Sequence, residues 1–245
     1  ETFDRFGHSY DWDLFYSTIS PKAARVAQKS FLDLHRKGRV YRSSEPGLYS
    51  IAGRTGISQA DLEEEEQTTF LNYINFKVGN SNLQIATTRP ELIPACVAVF
   101  VHPKHPRYGK FVGKHATVPL TGEQVPILAD KDVKIDFGTG ALMVCTFGDK
   151  TDVEWWKKYK LPLKVIIGRD GRLNEEAGKY AGLTLAEARN TILSQLDKSG
   201  LLKQRDKIKQ TVQVTDRYGD KPEYLILEQW QFKVTDLKAK LLKKA

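Results

Sequence analysis

The chain has 245 residues, of which 40% are hydrophobic and 28% charged, and its formal net charge is +8. This length can bury one substantial core, and the composition is that of a globular protein rather than a disordered one. No apolar run reaches the roughly 18 residues of a membrane-spanning helix, and acidic residues near the start break the pattern of a secretory signal. We therefore expect a cytoplasmic protein without a membrane partner.

The first predicted element is a helix over residues 21–37. Ser20 is suited to cap its first amides, Pro21 loses no hydrogen bond at the first helical position, and Gly38 is suited to end it. Extended chain is expected to follow from Val40.

Short β-rich runs separated by turn residues begin at Thr68. Many short strands with such turns favour a closed or nearly closed barrel. The acidic run from Glu63 to Glu66 is predicted to be a solvated strand edge or loop rather than a metal site. The predicted strands cover residues 70–78, 83–87, 95–101, 117–120, 125–129 and 141–145.

Two later helices are predicted at Thr151 and Thr184, because a Glu follows each threonine at the three-residue spacing of a capping box. A strand-like pair and a basic terminal helix follow the second of these. The fold class is therefore α+β, a β-barrel with surrounding helices and flanking connective segments. We divide the chain into an N-terminal flank (1–65), the barrel domain (66–207) and a C-terminal flank (208–245). The strand-like pair covers 210–214 and 224–230, around a turn at 218–220, and the basic helix follows residue 235.

Cysteines and histidines give no sign of a metal site. Cys96 and Cys145 each stand alone in an apolar stretch, so buried thiols are predicted rather than a disulfide or a zinc knuckle. His102 and His105 lie in a Pro-rich connection, where solvated loop residues are expected rather than ligands.

Lysine and arginine cluster in three places, at 157–158, 203–209 and 238–244. Such an excess of cations can neutralise phosphates, which makes a polyanion partner plausible. A merely solvated cationic surface is the alternative.

The motifs exclude two common chemistries. There is no Gly-x-Ser-x-Gly elbow of a serine hydrolase and no Gly-x-x-x-x-Gly-Lys-[Ser/Thr] phosphate loop. We therefore do not expect a Ser/His/Asp arrangement or phosphoryl transfer by this chain.

Candidate site residues fall in three segments, Thr87-Thr88-Arg89, Gly138-Thr139-Gly140 and the pair Asp149 and Asp152. The two carboxylates lie three residues apart at a helix start, where they could bind an ammonium group or orient a water. The same spacing also suits an N-cap and a first-turn residue that serve only the helix. Likewise, Arg89 could form a surface ion pair.

Four segments resemble the editing domain inserted in the class I synthetases for valine, isoleucine and leucine. They are Thr87-Thr88-Arg89-Pro90-Glu91, Ala98 to Pro103, the glycine segment 138–140 and Asp149-x-x-Asp152. Residues 145–156 and 177–183 resemble the archaeal-type valine enzymes in particular. Isoleucine enzymes usually have Thr-Thr-Thr-Pro at the first motif, so valine is favoured.

The resemblance implies hydrolysis of the threonyl ester on the 3′ end of tRNA(Val), and also of threonyl-adenylate. It implies that Asp149 holds the α-amino group as the catalytic residue. The substrate pocket would be shaped by Asp152, Cys145 and the segment Thr87 to Arg89. The carbonyl of the ester would be polarised by the backbone amides of Gly138, Thr139 and Gly140.

The resemblance also implies what this chain lacks. The His-x-Gly-His and Lys-Met-Ser-Lys-Ser signatures are absent, so the chain is expected to work beside the catalytic domain of a parent synthetase, which alone would use ATP. No cofactor is expected, and zinc is not, because residues 49–53 and 216–219 lack the cysteines that often flank the insertion.

Two departures and two alternatives remain open. Met143 and Cys145 stand where many bacterial members have Lys and Thr, and Gly148 replaces a usual His, so the roles of those side chains are not transferred. The alternatives are an isoleucine-type editing domain and a tRNA-binding module that is inactive without the synthetase body.

Overall fold

The computed structural model describes residues 2–136 and 138–244. They form two compact units, one of residues 45–227 and one of residues 1–44 with 228–245. The predicted barrel segment, 66–207, lies inside the first of these. No helix in the described ranges is both long and apolar enough to cross a membrane.

Helices and strands alternate along the chain, and their bounds in order are α1 Thr2–Arg5, α2 Pro21–Arg36, β1 Val40–Ser50, β2 Thr55–Ile57, β3 Leu62–Val78, β4 Ser81–Thr87, β5 Cys96–Val101, β6 His115–Thr117, β7 Gln124–Ala129, β8 Ala141–Cys145, α3 Lys150–Tyr159, α4 Leu185–Lys198, β9 Leu202–Thr215, β10 Glu223–Phe232 and α5 Lys238–Leu242. Short 3-10 helices lie between them at Gln59–Asp61, Pro90–Ala95, Gly109–Phe111, Glu175–Tyr180 and Thr235–Leu237.

Seven strands of the 45–227 unit form one curled sheet. Their order is β4-β3-β6-β7-β5-β8, with β9 paired to β3. The sheet curls so far that β4 and β8, at opposite ends of this order, contact each other. Buried side chains such as Phe76, Ile85, Val99 and Ile127 fill the core against α4. The predicted α+β class and barrel-like sheet are confirmed.

A second sheet has three strands in the order β10-β1-β2. β9 and β10 were expected as a pair around the 218–220 turn, but they lie in different sheets. β9 pairs with β3 over thirteen positions from Leu62↔Thr215 to Ile74↔Leu202. This long ladder explains the acidic run, since Glu63 to Glu66 are exposed residues of β3.

The helix starts follow the side-chain caps. Ser20 accepts a hydrogen bond from the amide of Ala23, and Thr184 and Glu187 form the predicted capping box. The prediction for α3 was wrong in detail: Asp149, not Thr151, is the N-cap, because its carboxylate reaches the amide of Asp152.

The predicted strand at 117–120 is also displaced. β6 ends at Thr117, because Leu120 adopts a φ of 66° and the amide of Gly122 donates to the carbonyl of Val118. Residues 118–123 therefore form the turn that leads into β7.

Candidate functional site

The two candidate carboxylates, Asp149 and Asp152, lie where β8 leads into the first turn of α3. We call residues 145–152 the aspartate turn. Asp149 Oδ1 accepts a hydrogen bond from the amide of Asp152 at 2.9 Å, so the capping role is confirmed. The hydrogen bonds among the described residues leave Asp149 Oδ2 unused, and the residue is exposed. One oxygen therefore serves the helix while the other is available to a ligand.

Asp152 points back into the same turn. Its Oδ2 accepts from the amides of Gly148 at 3.0 Å and Cys145 at 3.3 Å. Burial raises the pKa of Asp152 well above its ordinary value, the charge of Asp149 adds to this, and the two amide bonds oppose it. A side chain at position 148 would collide with Asp152, since a Cβ there would lie 2.3 Å from Oδ2.

Arg89 ties this turn to two other segments through one buried guanidinium. Nη1 donates to the carbonyl of Gly148 at 3.0 Å, Nε donates to Glu91 at 3.2 Å, and Nη2 donates to both carboxylate oxygens of Glu223 at 2.8 Å. The exposed fractions of the three side chains are 12% for Arg89, 1% for Glu91 and 4% for Glu223. Arg189 completes the cluster with two bonds to Glu91.

The cluster keeps Arg89 positively charged. Burial by itself would lower the pKa of Arg89, but the charges of Glu223 and Glu91 raise it above the usual value. Arg89 thus forms an ion pair that is buried, not one on the surface. All hydrogen bonds of its guanidinium among the described residues are to protein groups, so Arg89 positions the turn at Gly148.

The threonines lie at the end of β4. Thr87 Oγ1 accepts from the amide of Arg89 at 3.0 Å, and its carbonyl accepts from Asn72 Nδ2 at 3.0 Å. Thr88 is half-buried, and its hydroxyl takes part in none of the hydrogen bonds among the described residues. Thr88 is therefore the threonine of this pair whose hydroxyl is free for a ligand.

The glycine segment packs against β4 and against a histidine. Gly138 and Gly140 have φ values of 58° and 70°, which glycine adopts readily. A Cβ at Gly138 would lie 2.8 Å from the Ala86 side chain, and one at Gly140 would lie 2.5 Å from the ring of His105. The segment thus fits only without side chains at these two positions.

His105 was expected as a solvated loop residue, and that expectation is wrong. Its ring is buried and stacks on Tyr108 with 4.6 Å between centroids. Nδ1 accepts from two backbone amides, so the proton lies on Nε2, which donates to the carbonyl of Thr139 at 3.1 Å. Burial lowers the pKa of His105 and keeps the ring neutral. His105 therefore supports the glycine segment, which no local motif indicated.

A narrow crevice opens beside the aspartate turn. Its empty space is about 250 Å³ when the open solvent at its mouth is counted. Tyr224 lines this crevice together with Gly148 of the turn. Burial raises the pKa of the Tyr224 hydroxyl, and the charge of Asp149 raises it further. The lining residues are Leu92, Ala95, Cys145, Phe147, Gly148, Lys164, Val165, Ile166, Ile167 and Tyr224.

The cysteine prediction is confirmed, since Cys96 and Cys145 are both buried and free. Burial raises the pKa of each thiol above its ordinary value, so neither is poised as a thiolate nucleophile. In the ranges 2–136 and 138–244, no group of three or more His, Cys, Asp or Glu side chains is placed to hold a metal ion.

Similarity to known proteins covers nearly the whole chain. The valine–tRNA ligase of Thermoplasma acidophilum is 48% identical over 238 residues, which are 97% of this chain and 30% of the ligase. That of Rickettsia rickettsii is 46% identical over 245 residues, again 30% of the ligase. A family profile described as "Leucyl-tRNA synthetase, editing domain" matches residues 101–213. Over residues 101–213 the chain thus matches the editing-domain family of the aminoacyl-tRNA synthetases, and over nearly its whole length it is similar to valine–tRNA ligases.

The chain spans about 30% of the length of the valine–tRNA ligases it matches. Among solved structures, the ternary complex of Agrobacterium radiobacter K84 agnB2 LeuRS with tRNA and LeuAMS is similar, with a TM-score of 0.46 and 19% identity. That similarity covers 84% of this chain and 34% of the other.

The structure brings together part of the predicted site. Arg89, Cys145, Asp149 and Asp152 are joined through the backbone of Gly148 or through direct hydrogen bonds. Thr139 and Gly140 contact His105 instead. Sequence reasoning missed the supporting residues Glu91, Arg189 and Glu223, although Glu91 stands inside the motif that drew attention to Arg89.

The half-buried carboxyl of Asp152 gives a pH-dependent prediction. In the unfolded chain an aspartate has a pKa of about 3.9. Above that pH the folded protein holds a proton that the unfolded chain has released, so this residue's contribution to stability falls as pH rises towards its raised folded pKa. Asp152→Asn, which cannot ionise, should therefore gain stability relative to the original chain between about pH 4 and pH 7.

Urea unfolding of both proteins across this pH range measures the difference. Asp152→Ala is the structural control, because it leaves the amides of Gly148 and Cys145 without their acceptor and should cost about 1–3 kcal/mol. A difference between the Asn variant and the original chain that stays constant with pH would contradict the raised pKa.

The Arg89 cluster gives a second prediction. Arg89→Met leaves Glu223 and Glu91 buried with less compensating charge and should lower the free energy of unfolding by about 3–5 kcal/mol. Adding Glu223→Gln removes one of those charges, so the double variant should be more stable than Arg89→Met alone. Chemical denaturation of the two single variants and the double variant checks this, and strictly additive losses would show that the groups are not coupled.

Proposed function

We propose that the chain hydrolyses the ester that links threonine to the 3′ end of tRNA(Val), with threonyl-adenylate as a second substrate. The observation that carries the proposal is the aspartate turn: Asp149 presents an unused carboxylate oxygen beside the half-buried Asp152, next to a crevice. The identity of 46–48% with valine–tRNA ligases supports the choice of valine.

Substrate recognition follows from the two unlike carboxyls. Asp149 is exposed and can pair its free oxygen with the α-ammonium group of the aminoacyl ester. Asp152 has a raised pKa, so its carboxyl can offer a proton to a hydroxyl oxygen. Thr88 adds a free hydroxyl at the end of β4. Together these groups suit threonine, which carries both an ammonium and a hydroxyl.

A hydroxyl-accepting site has a clear physical use. A hydrophobic pocket for valine rejects the isosteric threonine by only about a hundredfold, a limit for which the valine enzymes themselves are the known example. A second site that hydrogen-bonds the hydroxyl can discriminate the other way, because valine would leave its polar groups unpaired. Cognate valyl-tRNA would then be spared.

The hydrolysis step needs only water. A water oxygen attacks the ester carbonyl, the bond to the ribose oxygen breaks, and the proton lost by the water goes to that ribose oxygen, which leaves as a hydroxyl. Backbone amides of the segment Gly138 to Gly140 would stabilise the developing oxyanion. A covalent cysteine intermediate is not required, and Cys145 is protonated and buried.

The proposed partners are the acceptor end of tRNA(Val) and the catalytic domain of the parent synthetase, which would bind ATP. The net charge of +8 suits the first. For the second, the unit made of the two chain ends exposes many large apolar side chains, which usually marks a surface that another protein covers. They include Phe6, Leu14, Phe15, Tyr16, Ile19, Leu241 and Leu242.

Asp149→Asn separates the capping role from the ammonium-binding role. Asparagine caps a helix as well as aspartate does, so the melting temperature should stay within a few degrees. Loss of the charge that holds the ammonium should cost about 1.5–3 kcal/mol, or roughly 10- to 150-fold in the rate of threonyl-tRNA(Val) hydrolysis. Asp149→Ala should lose both the helix cap of α3 and the fast hydrolysis of threonyl-tRNA(Val). An Asn variant as fast as the original chain would reject the role of Asp149.

The function itself is tested by deacylation of purified aminoacyl-tRNAs. We expect release of threonine from threonyl-tRNA(Val) well above the rate without protein, and little release of valine from valyl-tRNA(Val). Faster release of valine from valyl-tRNA(Ile) would show isoleucine-type editing instead. Binding of tRNA(Val) with no ester loss would show a binding module that depends on the absent synthetase body.

A further inference from the structure

The ladder of β3 and β9 carries a row of cations on one face. Lys203, Arg205, Lys207 and Lys209 are all exposed and occupy every second position of β9. From Arg205 to Lys209, side chains at alternate positions of the strand point to the same face, about 6.6 Å apart. Lys203 lies at an irregularity of the ladder, where Tyr73 faces Gln204 and Ile74 faces Leu202, and it extends the row at an exposed position. We call this row the β9 cation row.

The other face of β9 fixes this arrangement. Of the intervening positions, Gln204 is exposed, but Leu202, Asp206, Ile208, Gln210 and Val212 are half-buried and Val214 is buried. Because one face of the strand is covered, a shift by one residue would expose its apolar side chains, so the register is strongly determined. The cations are therefore held on the solvent face by the fold.

Most of this charge has no acidic partner. Lys209 pairs with Glu66 at 2.7 Å. Arg205 Nε donates to the uncharged Asn72 Oδ1 at 3.1 Å, and neither Lys203 nor Lys207 takes part in an ion pair among the described residues. The remaining acids of β3 lie further along the ladder, where Glu64 faces Gln213. The row thus ends beside an acidic stretch but is itself largely uncompensated.

An aromatic ring lies within the row. Phe70 is directly opposite Lys207 in the register and is 42% exposed. The guanidinium carbon of Arg205 lies 4.6 Å from the centroid of that ring. Aromatic rings and guanidinium planes are the surfaces on which unpaired nucleic-acid bases stack.

We infer that this face binds an RNA strand, with the β9 cation row on its phosphates and the Phe70–Arg205 pair against a base. Evenly spaced cations suit the evenly spaced charges of a phosphate backbone, and a stacking plane among them favours RNA over an acidic protein. This inference rests on the proposed function in that the RNA would be the tRNA whose 3′ end enters the aspartate turn.

The role of the charges of the β9 cation row is tested with the double variant Lys203→Ala/Lys207→Ala. Equilibrium binding of uncharged tRNA(Val) is measured over a range of salt concentrations. If the two lysines contact phosphates of a single strand, the slope of log affinity against log salt should fall by about 1.4, or by about 1.8 for a duplex. Affinity at 0.1 M salt should fall on the order of tenfold or more.

The matched control is Lys77→Ala/Lys110→Ala, which removes the same charge at exposed positions outside this face. It should keep the original slope within the error of the measurement. Phe70→Ala should weaken binding by at least about fivefold through lost stacking, with the slope unchanged. Thermal unfolding checks that each variant is folded.

Three results would overturn the inference: an unchanged slope in the Lys203/Lys207 variant, an equal loss in the control, or polyglutamate binding as tight as RNA binding with the same loss. The proposed function fails separately. If the unmodified chain binds tRNA through the cation row but leaves threonyl-tRNA(Val) intact, this inference stands and the hydrolytic role does not.

Discussion

The candidate site depends on the buried guanidinium of Arg89. It joins its neighbour Glu91 to two segments that are remote in sequence, through the carbonyl of Gly148 and the carboxylate of Glu223. A planar group with five donors can satisfy all three at once, which the single ammonium of a lysine cannot do. The two buried carboxylates in turn need this cation, because an unpaired charge in such a place is costly.

The geometry of the aspartate turn follows from this anchor. The peptide at Gly148 is held on both sides, by Arg89 at its carbonyl and by Asp152 at its amide. The next residue, Asp149, is fixed by its own bond to the first turn of α3. The carboxylate that we propose for ligand binding is thus placed on backbone that has little freedom, as precise recognition requires. Asp149 is exposed, whereas Asp152 is half-buried and has a raised pKa, so the two acids differ in their chemistry.

The sequence correctly predicted those helix starts and strands that depend on residues close together in the chain. The caps at Ser20 and Thr184 were read correctly, because each depends on residues three apart. The short β-rich runs separated by turn residues correctly predicted most strands and the barrel-like sheet. The N-cap of α3 was misplaced because two residues, Asp149 and Thr151, both fit the pattern, and only the geometry of the turn decides between them.

Long-range partners could not be read from the sequence. Arg89 meets Glu223 across 134 residues, and His105 meets Thr139 across 34. The burial of His105 depends on a glycine segment that folds over it, so the Pro-rich surroundings gave the wrong expectation. β9 and β10 likewise looked like one hairpin, while each has a stronger partner elsewhere in the chain. Pairing is decided by the whole sheet, not by the turn between two strands.

The most direct test of the anchoring role is amide hydrogen exchange in the variant Arg89→Lys, which keeps the charge but loses the planar fork. The amides of Gly148 and Asp152 should be protected in the original chain and should exchange at least about tenfold faster in the variant. Amides in the middle of α4, such as that of Ile192, should be unaffected. Equal protection of Gly148 in both proteins would show that the turn is held without Arg89 and would contradict the account.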